Sequence, residues 1–228
     1  MRYDIILFDV DDTLLDFQKA ERVALEGTFK AYEVSCEEAV INRYIKINNE
    51  LWKSFERGEI SKEQLLNTRF ARFFKEMRLE KDGVKCNEDY LNALSQGAFL
   101  MPGALETCKM LSEYCSLYIV TNGVSKTQHS RIRLSAIKDY FKDIFVSEDV
   151  GYQKPLKEFF DYVFEKINLI DKSRVLIVGD SLTSDIQGGN NAGIDTCWYN
   201  PKGIENTKKV NCTYEINNLQ DLLSIIKS

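Results

Sequence analysis

Residues 7–15 read Leu-Phe-Asp-Val-Asp-Asp-Thr-Leu-Leu, so three aspartates lie within four positions. No lysine or arginine stands among them, and carboxylates this close repel one another. Asp9 and Asp11 are two positions apart, a spacing that points both side chains the same way from an extended backbone. Carboxylate oxygens in such an arrangement are the ligands that hard divalent cations take. The cluster therefore predicts a partner that supplies positive charge.

Three other interpretations of the cluster are weaker. A calcium-binding loop needs Gly at its sixth position and Glu at its twelfth, where this chain has Leu14 and Ala20. A nucleotide-binding P-loop needs the spacing G-x-x-x-x-G-K-[ST], and residues 123–127 have the wrong glycine spacing. An acidic turn without chemistry is disfavoured because the acids follow an apolar run that reads as a buried strand.

Several apolar runs bounded by turn residues predict the strands that must position these acids. Continuous Ile, Val and Leu runs are typical of strands buried on both faces, as in a parallel sheet. Helical patterns over Ser125–Tyr140 and Lys157–Ile167 suit crossover connections. The fold class predicted is α/β, with a doubly wound, Rossmann-like parallel sheet. The predicted strands are Ile5–Val10, Leu117–Thr121, Ile144–Ser147, Val175–Gly179 and Thr196–Tyr199.

Polar residues follow three more of these strands. The second strand ends in Thr121–Gly123, whose hydroxyl and backbone N–H groups suit a phosphate oxygen. Lys154 follows the third strand, and Asp180 and Asp185 follow the fourth. Because the carboxyl ends of parallel strands share one sheet edge, these groups should meet the opening cluster there. Four aspartates at one edge imply a hard cation with oxygen ligands, most simply Mg²⁺.

The segment between the first two strands has only helical patterns, and it is rich in aromatic side chains. We predict that residues 17–96 form a helical cap domain inserted into an α/β core made of residues 1–16 and 97–228. The aromatics are expected to form the core of this bundle. They are Phe29, Tyr32, Tyr44, Trp52, Phe55, Phe70, Phe73 and Phe74. The tail after Pro201 is polar up to an amphipathic stretch, Leu219–Ile226, and predicts little.

Composition excludes several classes of function. A net charge of −5 gives no basic footprint for nucleic acid or an anionic membrane. The six cysteines are isolated, without a C-x-x-C pair, so zinc and redox motifs have no support and reduced thiols are expected. No apolar stretch is long enough to span a membrane, and Ile5–Phe8 is too short for a signal peptide. We expect a cytoplasmic monomer.

The ordered set of motifs resembles that of the haloacid dehalogenase (HAD) superfamily. The Asp-x-Asp-x-Thr of residues 9–13 comes first, followed by Thr121, Lys154 and the Asp180–Asp185 segment, each after a predicted strand. The helical insert resembles that superfamily's C1 cap. Residues 101–104, 121–123 and 179–196 further resemble a branch of nucleoside 5′-monophosphate phosphatases that hydrolyse non-standard pyrimidine nucleotides. A small phosphorylated metabolite, a nucleoside monophosphate, is the partner this resemblance implies.

The resemblance also implies roles for individual residues. Asp9 would be the nucleophile that forms an aspartyl-phosphate, and Asp11 would protonate the leaving alkoxide and then activate water. Thr121 and Lys154 would bind the phosphoryl oxygens, with backbone N–H groups of Val10–Asp11 and Asn122–Gly123.

The implied metal is Mg²⁺. It would be held by the Asp9 carboxylate, the Asp11 backbone carbonyl and Asp180, with Asp185 either binding it directly or lying just outside its ligands.

Neighbouring residues carry weaker expectations. We expect Asp12 to serve the turn or the start of the next helix, and Thr13 to position Asp11 by a hydrogen bond. His129 is expected to be a surface residue.

Alternative functions within the resemblance are a phosphatase of another small metabolite, such as a sugar phosphate or phosphoglycolate, and a phosphomutase. A 2-haloacid dehalogenase is disfavoured because that branch lacks an acid two residues after the nucleophile. A phospho-accepting signalling module is disfavoured by its smaller size and by the later strand that carries its aspartate.

Overall fold

The computed structural model describes residues 1–227, which form two compact units. One unit comprises residues 1–17 together with residue 98 onward, and the other comprises Gln18–Gly97. The first unit contains every strand found in the described chain, whereas the second is helical. No helix within residues 1–227 is both long and apolar enough to cross a membrane.

In the first unit, six strands of the described chain form one sheet in the order β3-β2-β1-β4-β5-β6. All neighbouring strands are parallel, which confirms the predicted doubly wound α/β class. β1 lies at the centre, between β2 and β4, so the opening aspartates leave the middle of the sheet edge. The strands are β1 Ile5–Phe8, β2 Ser116–Thr121, β3 Phe141–Val146, β4 Val175–Gly179, β5 Asp195–Tyr199 and β6 Tyr214–Ile216.

Apolar side chains cover both faces of this sheet. Ile6 and Phe8 of β1 belong to one core cluster, whereas Leu7, the residue between them, belongs to the cluster on the other face. This alternation explains why the strand sequences are continuously apolar. The helices of the unit are α5 Ala104–Leu111, α6 Ser125–Leu134, α7 Ser147–Val150, α8 Lys157–Lys166, α9 Gln187–Ala192 and α10 Leu222–Lys227.

Two elements differ most from the sequence prediction, beside smaller changes in the bounds of β1 and β3. α6 ends at Leu134, not at Tyr140, because Ser135 adopts an extended backbone and its hydroxyl donates to the Ile132 carbonyl at 2.7 Å. The tail after Pro201, in which the sequence predicted no strand, contributes β6 to the sheet edge beside β5. A strand of three residues is too short to give a readable alternation.

The helical unit packs around aromatic rings, as predicted. Phe29 stacks on Phe73 with ring centroids 5.2 Å apart, and Tyr44 lies 4.5 Å from Phe70. Six of the eight predicted aromatics are buried; Tyr32 and Trp52 are partly exposed. The helices are α1 Phe17–Ala31, α2 Glu38–Glu56, α3 Lys62–Met77 and α4 Gly83–Leu94.

A buried polar chain also connects the four helices of this unit. Asn48 of α2 donates to Glu21 of α1 at 3.0 Å and accepts from Arg69 of α3 at 3.3 Å. Arg69 in turn donates to Asn87 of α4 at 2.6 Å. Because unpaired buried charges are costly, this chain of contacts favours one relative placement of the four helices.

Candidate active site

Asp9 lies directly beyond the carboxyl end of the central strand. Its backbone N–H donates to the Val178 carbonyl at 2.9 Å, which continues the pairing of β1 with β4 by one residue. Its side chain is buried, with 8% of the residue exposed. A carboxylate in this position is largely cut off from water, so its ionised form depends on neighbouring positive charge.

Lys154 supplies that positive charge. It is fully buried, and its ammonium group donates to Asp9 Oδ1 at 2.7 Å, to Asp185 Oδ1 at 2.6 Å and to the Val120 carbonyl at 2.7 Å. These contacts use all three N–H donors of the group. Burial by itself would lower the pKa of Lys154, but the carboxylates of Asp185 and Asp9 outweigh it and raise that pKa above its ordinary value. The lysine is therefore a fixed cation.

The backbone of Lys154 is held by the side chain of Asn122. The Asn122 amide nitrogen donates to the Lys154 carbonyl at 2.8 Å, and its oxygen accepts from the Lys154 N–H at 2.9 Å. Asn122 follows β2, so this reciprocal pair connects the loop after β2 to the loop that carries the lysine. The asparagine of the Thr-Asn-Gly sequence thus positions Lys154, a role that the sequence prediction did not include.

Asp180 and Asp185 reach the site from the end of β4. Residues Leu182–Ile186 form a π-helical turn that brings Asp185 back beneath the strand. Its Oδ2 accepts from the Ser181 N–H at 3.1 Å, and a Cβ at Gly179 would collide with its carboxylate. The backbone of Asp180 is fixed on both sides, by Trp198 Nε1 at 2.8 Å and by the hydroxyl of Thr13 at 3.1 Å.

Carboxylate oxygens of Asp9, Asp180 and Asp185 lie within 4.8 Å of one another. Burial, and then the neighbouring carboxylates, raise the pKa of Asp9 to about 7, even though Lys154 opposes the shift. The same causes raise the pKa of Asp180 well above its ordinary value. No donor within residues 1–227 is hydrogen-bonded to the Asp180 carboxylate. These clustered carboxylate oxygens have too little positive charge beside them, and such a set of ligands fits a hard divalent cation.

The structure shows the contacts of Asp12 and Thr13, the last two polar residues of the opening cluster. Asp12 has a left-handed backbone with φ of 58°, and its Oδ1 accepts from the N–H of Phe17, the first residue of α1, at 3.0 Å. The predicted role in the turn and helix start is confirmed. The prediction for Thr13 is wrong: its hydroxyl donates to Asp9 at 3.4 Å, because the Asp11 side chain is directed toward α6 instead.

The residues that hold Asp11 were missed from the sequence. Gln128 Nε2 donates to Asp11 Oδ2 at 2.8 Å, and Arg131 contacts Asp11 Oδ1. Both lie on the inner face of α6, the face on which a crossover helix ordinarily carries apolar residues. Polar residues at these two positions were the sequence signal that could have identified them. His129, between them, is exposed and lies 3.2 Å from Asp149, which confirms it as a surface residue.

The chain matches a known protein family along most of its length. The model for haloacid dehalogenase-like hydrolases matches residues 3–193, most of the chain. The chain belongs to this family. The predicted family and its enzymatic nature are thereby confirmed, and the hydrolase places its four motif segments together at one sheet edge.

Relatives resemble this hydrolase along nearly its whole length. HAD-hydrolase YfnB of Bacillus subtilis is 46% identical over 225 residues, which cover 99% of this chain and 96% of YfnB. The pyrimidine 5′-nucleotidase PynA of Streptococcus pneumoniae is 42% identical, covering 99% and 96% of the two chains. The pyrimidine 5′-nucleotidase YjjG of Escherichia coli is 34% identical, covering 99% of each. The crystal structure of magnesium-bound YfnB superposes with a TM-score of 0.95 over 100% of both chains.

Proposed function

We propose that this hydrolase is a Mg²⁺-dependent phosphomonoesterase, a 5′-nucleotidase that acts on pyrimidine nucleoside monophosphates. The observation that carries the proposal is the buried Asp9 carboxylate, which lies 2.7 Å from the Lys154 ammonium and within the cluster formed with Asp180 and Asp185. The nucleotide preference is supported by the pyrimidine 5′-nucleotidases PynA and YjjG. The helical unit is proposed to be the cap domain, the part of the chain that selects the substrate.

In this proposal Asp9 attacks phosphorus in line and displaces the nucleoside alkoxide, forming an aspartyl-phosphate. Asp11, two residues further on, gives its proton to the leaving alkoxide. It then takes a proton from the water that hydrolyses the aspartyl-phosphate. The Thr121 hydroxyl donates to a phosphoryl oxygen, and Lys154 neutralises charge on the Asp9 side chain. Asp9 and Asp11 follow β1, Thr121 ends β2, and Lys154 lies beyond β3, so three neighbouring strands supply these groups.

A bound metal ion would offset the repulsion between the Asp9 carboxylate and the phosphate group that it attacks. A carboxylate about 4 Å from a phosphate dianion meets roughly 8 kcal/mol of repulsion at an effective dielectric constant near 20. Bound Mg²⁺ would supply positive charge that offsets this repulsion. We propose that Asp9, Asp180 and the Asp11 backbone carbonyl hold it. Asp185, whose carboxylate already accepts from Lys154 and from the Ser181 N–H, would support the site from beside the ligands.

A panel of phosphate esters tests the proposal. Purified protein with Mg²⁺ should release phosphate from UMP, dUMP and dTMP with a higher kcat/KM than from purine nucleotides, sugar phosphates or phosphoglycolate. Removal of the metal with a chelator should abolish release, and added Mg²⁺ should restore it. Failure to release phosphate from every ester would contradict the proposal. Halide release from a 2-haloacid in the same assay would assign the dehalogenase reaction instead.

Metal binding should also show a defined pH dependence. The pKa of Asp9 is raised to about 7 in the folded chain, from an ordinary value of 3.8. Its contribution to stability is therefore fully present below the unfolded pKa and is lost as pH rises from about 4 to about 7. We expect the Tm of metal-free protein to fall over this window, and Mg²⁺ to raise Tm more at about pH 8 than at about pH 5.5. A Mg²⁺ effect that is equal at both pH values would contradict the assignment of Asp9 as a ligand.

A further inference from the structure

Two buried polar side chains lie on the inner face of α6, outside the four motif segments. Gln128 is 1% exposed and Arg131 is fully buried. They are three positions apart, so they lie next to each other on one face of the helix. Burying an amide and a guanidinium group is unfavourable unless their hydrogen bonds are made within the protein. Their partners therefore indicate why the chain has them at this position.

Gln128 makes its contacts with groups of the proposed active site. Its Nε2 donates one hydrogen to Asp11 Oδ2 at 2.8 Å and the other to Thr121 Oγ1 at 2.9 Å. Its Oε1 accepts from Arg131 Nη1 at 3.0 Å. This network fixes the orientation of the amide, because the flipped orientation would place Oε1 against the Asp11 carboxylate. The amide is thus a rigid link between Asp11 and Thr121.

The contact with Thr121 determines what its hydroxyl can do. Thr121 Oγ1 accepts from Gln128 and also from the N–H of Gly123, at 3.1 Å. A hydroxyl oxygen has two lone pairs and one hydrogen, so these two bonds leave the hydrogen to be donated. Thr121 is 1% exposed, which restricts where that hydrogen can point. Gln128 therefore presets Thr121 as a donor, the role that binding a phosphoryl oxygen requires.

The contact with Asp11 determines where its carboxylate lies. Arg131 contacts Oδ1, and Gln128 donates to Oδ2. With both oxygens bonded to side chains of one helix, rotation of the carboxylate about χ2 is restricted. Asp11 itself is partly exposed, and these two contacts hold it from the side of α6.

The glycine of the Thr-Asn-Gly sequence makes room for this arrangement. A Cβ built on Gly123 would lie 2.5 Å from Gln128 Nε2 and 2.6 Å from its Cδ. Only a residue without a side chain lets the amide pass between Thr121 and Asp11. The position of Gln128 therefore depends on the same motif whose hydroxyl it orients.

We propose that Gln128 is a positioning residue, completed by Arg131, that fixes both the proton donor Asp11 and the phosphoryl ligand Thr121 of the reaction. The inference rests on the proposed phosphatase function. It assigns two separable effects to one side chain. Loss of the Asp11 contact should impair proton transfer to the leaving group, whereas loss of the Thr121 contact should impair binding of the phosphoryl group.

Comparing two leaving groups separates these effects. Departure of p-nitrophenolate needs little protonation, whereas departure of the alkoxide of UMP needs a proton from Asp11. We expect Gln128→Met to lower kcat/KM for UMP by about 10³-fold and for p-nitrophenyl phosphate by only about tenfold. Arg131→Met removes the contacts to Asp11 and to Gln128 Oε1 but leaves the bond between Gln128 and Thr121. It should lower kcat/KM for UMP by about 10²-fold and leave p-nitrophenyl phosphate nearly unchanged. Arg131→Lys, which keeps a cation, should recover part of the loss.

Controls make the outcome decisive. Arg133→Met alters an exposed cation of the same helix and should keep both activities within about twofold. Gln128→Glu, an isosteric change that repels Asp11, repeats the test if Gln128→Met does not fold, and it should show the same preference for p-nitrophenyl phosphate. A folded Gln128 variant that loses both activities equally would overturn the inference. Absence of phosphate release by the unmodified enzyme would overturn the proposed function itself.

Discussion

Asp9→Asn is expected to lower phosphate release by about 10⁴-fold or more, with the fold retained. The amide cannot form the acyl-phosphate, and it is a weaker ligand for a divalent cation. Stability should not fall, because the carboxylate is destabilised by burial and by the neighbouring carboxylates of Asp185 and Asp11. Lys154 would keep its ion pair with Asp185 at 2.6 Å. Measuring steady-state kinetics together with the Tm of metal-free protein at about pH 8 checks both expectations.

The matched control for this variant is Asp12→Asn, the same chemical change three residues further on. Asparagine tolerates the left-handed backbone found at Asp12 and retains an oxygen that can accept from the Phe17 N–H. Activity should stay within about threefold of the original enzyme. Retention of activity by Asp9→Asn, or its loss in Asp12→Asn alone, would show that the nucleophile has been assigned to the wrong acid.

Lys154→Met should also lower activity strongly and, unlike Asp9→Asn, should lower stability. The substitution removes the cation that Asp9 and Asp185 share and leaves their buried carboxylates facing one another. Breaking a buried ion pair by removing one partner costs about 3–5 kcal/mol, which corresponds to a fall in Tm of roughly 10 °C for a chain of this size. Activity should fall by about 10³-fold, because charge on the Asp9 side chain is no longer neutralised.

The loss of stability in Lys154→Met should depend on pH. Because burial and carboxylate repulsion raise the pKa of Asp9 and Asp180, protonation at about pH 5 should relieve much of the repulsion and narrow the difference in Tm. Lys157→Met, which removes an exposed lysine paired with Asp161 on the surface, should change stability by less than about 1 kcal/mol. Equal destabilisation by the two substitutions would contradict a special role for Lys154.

Local patterns in the chain were sufficient to predict most of the sheet. The apolar run of β4 was predicted at its observed bounds, Val175–Gly179, because every residue of that strand is buried and the signal is continuous. β6 was missed because three residues at a sheet edge give no such signal. The order β3-β2-β1-β4-β5-β6 follows the doubly wound arrangement that alternating strands and helices indicate.

The contacts among the site residues could not be predicted in the same way. Lys154 was identified through its place after β3 and through the order of the motifs, and nothing local to it indicates that its ammonium group is buried between Asp9 and Asp185. Asn122 looked like part of a phosphate-binding loop, yet its side chain holds the Lys154 backbone. Thr13 was expected to position Asp11, whereas in the structure its hydroxyl donates to Asp9.

Strand periodicity and motif order are properties of short segments, so they were enough to predict which residue types reach the carboxyl edge of the sheet. Which of those side chains touch one another depends on the folded chain as a whole. Gln128 and Asp11 are 117 residues apart in the chain, and Lys154 and Asp9 are 145 apart. Hydrogen bonds over such separations depend on the strand order and on the face that each helix turns inward, because a difference of about 1 Å makes or breaks them.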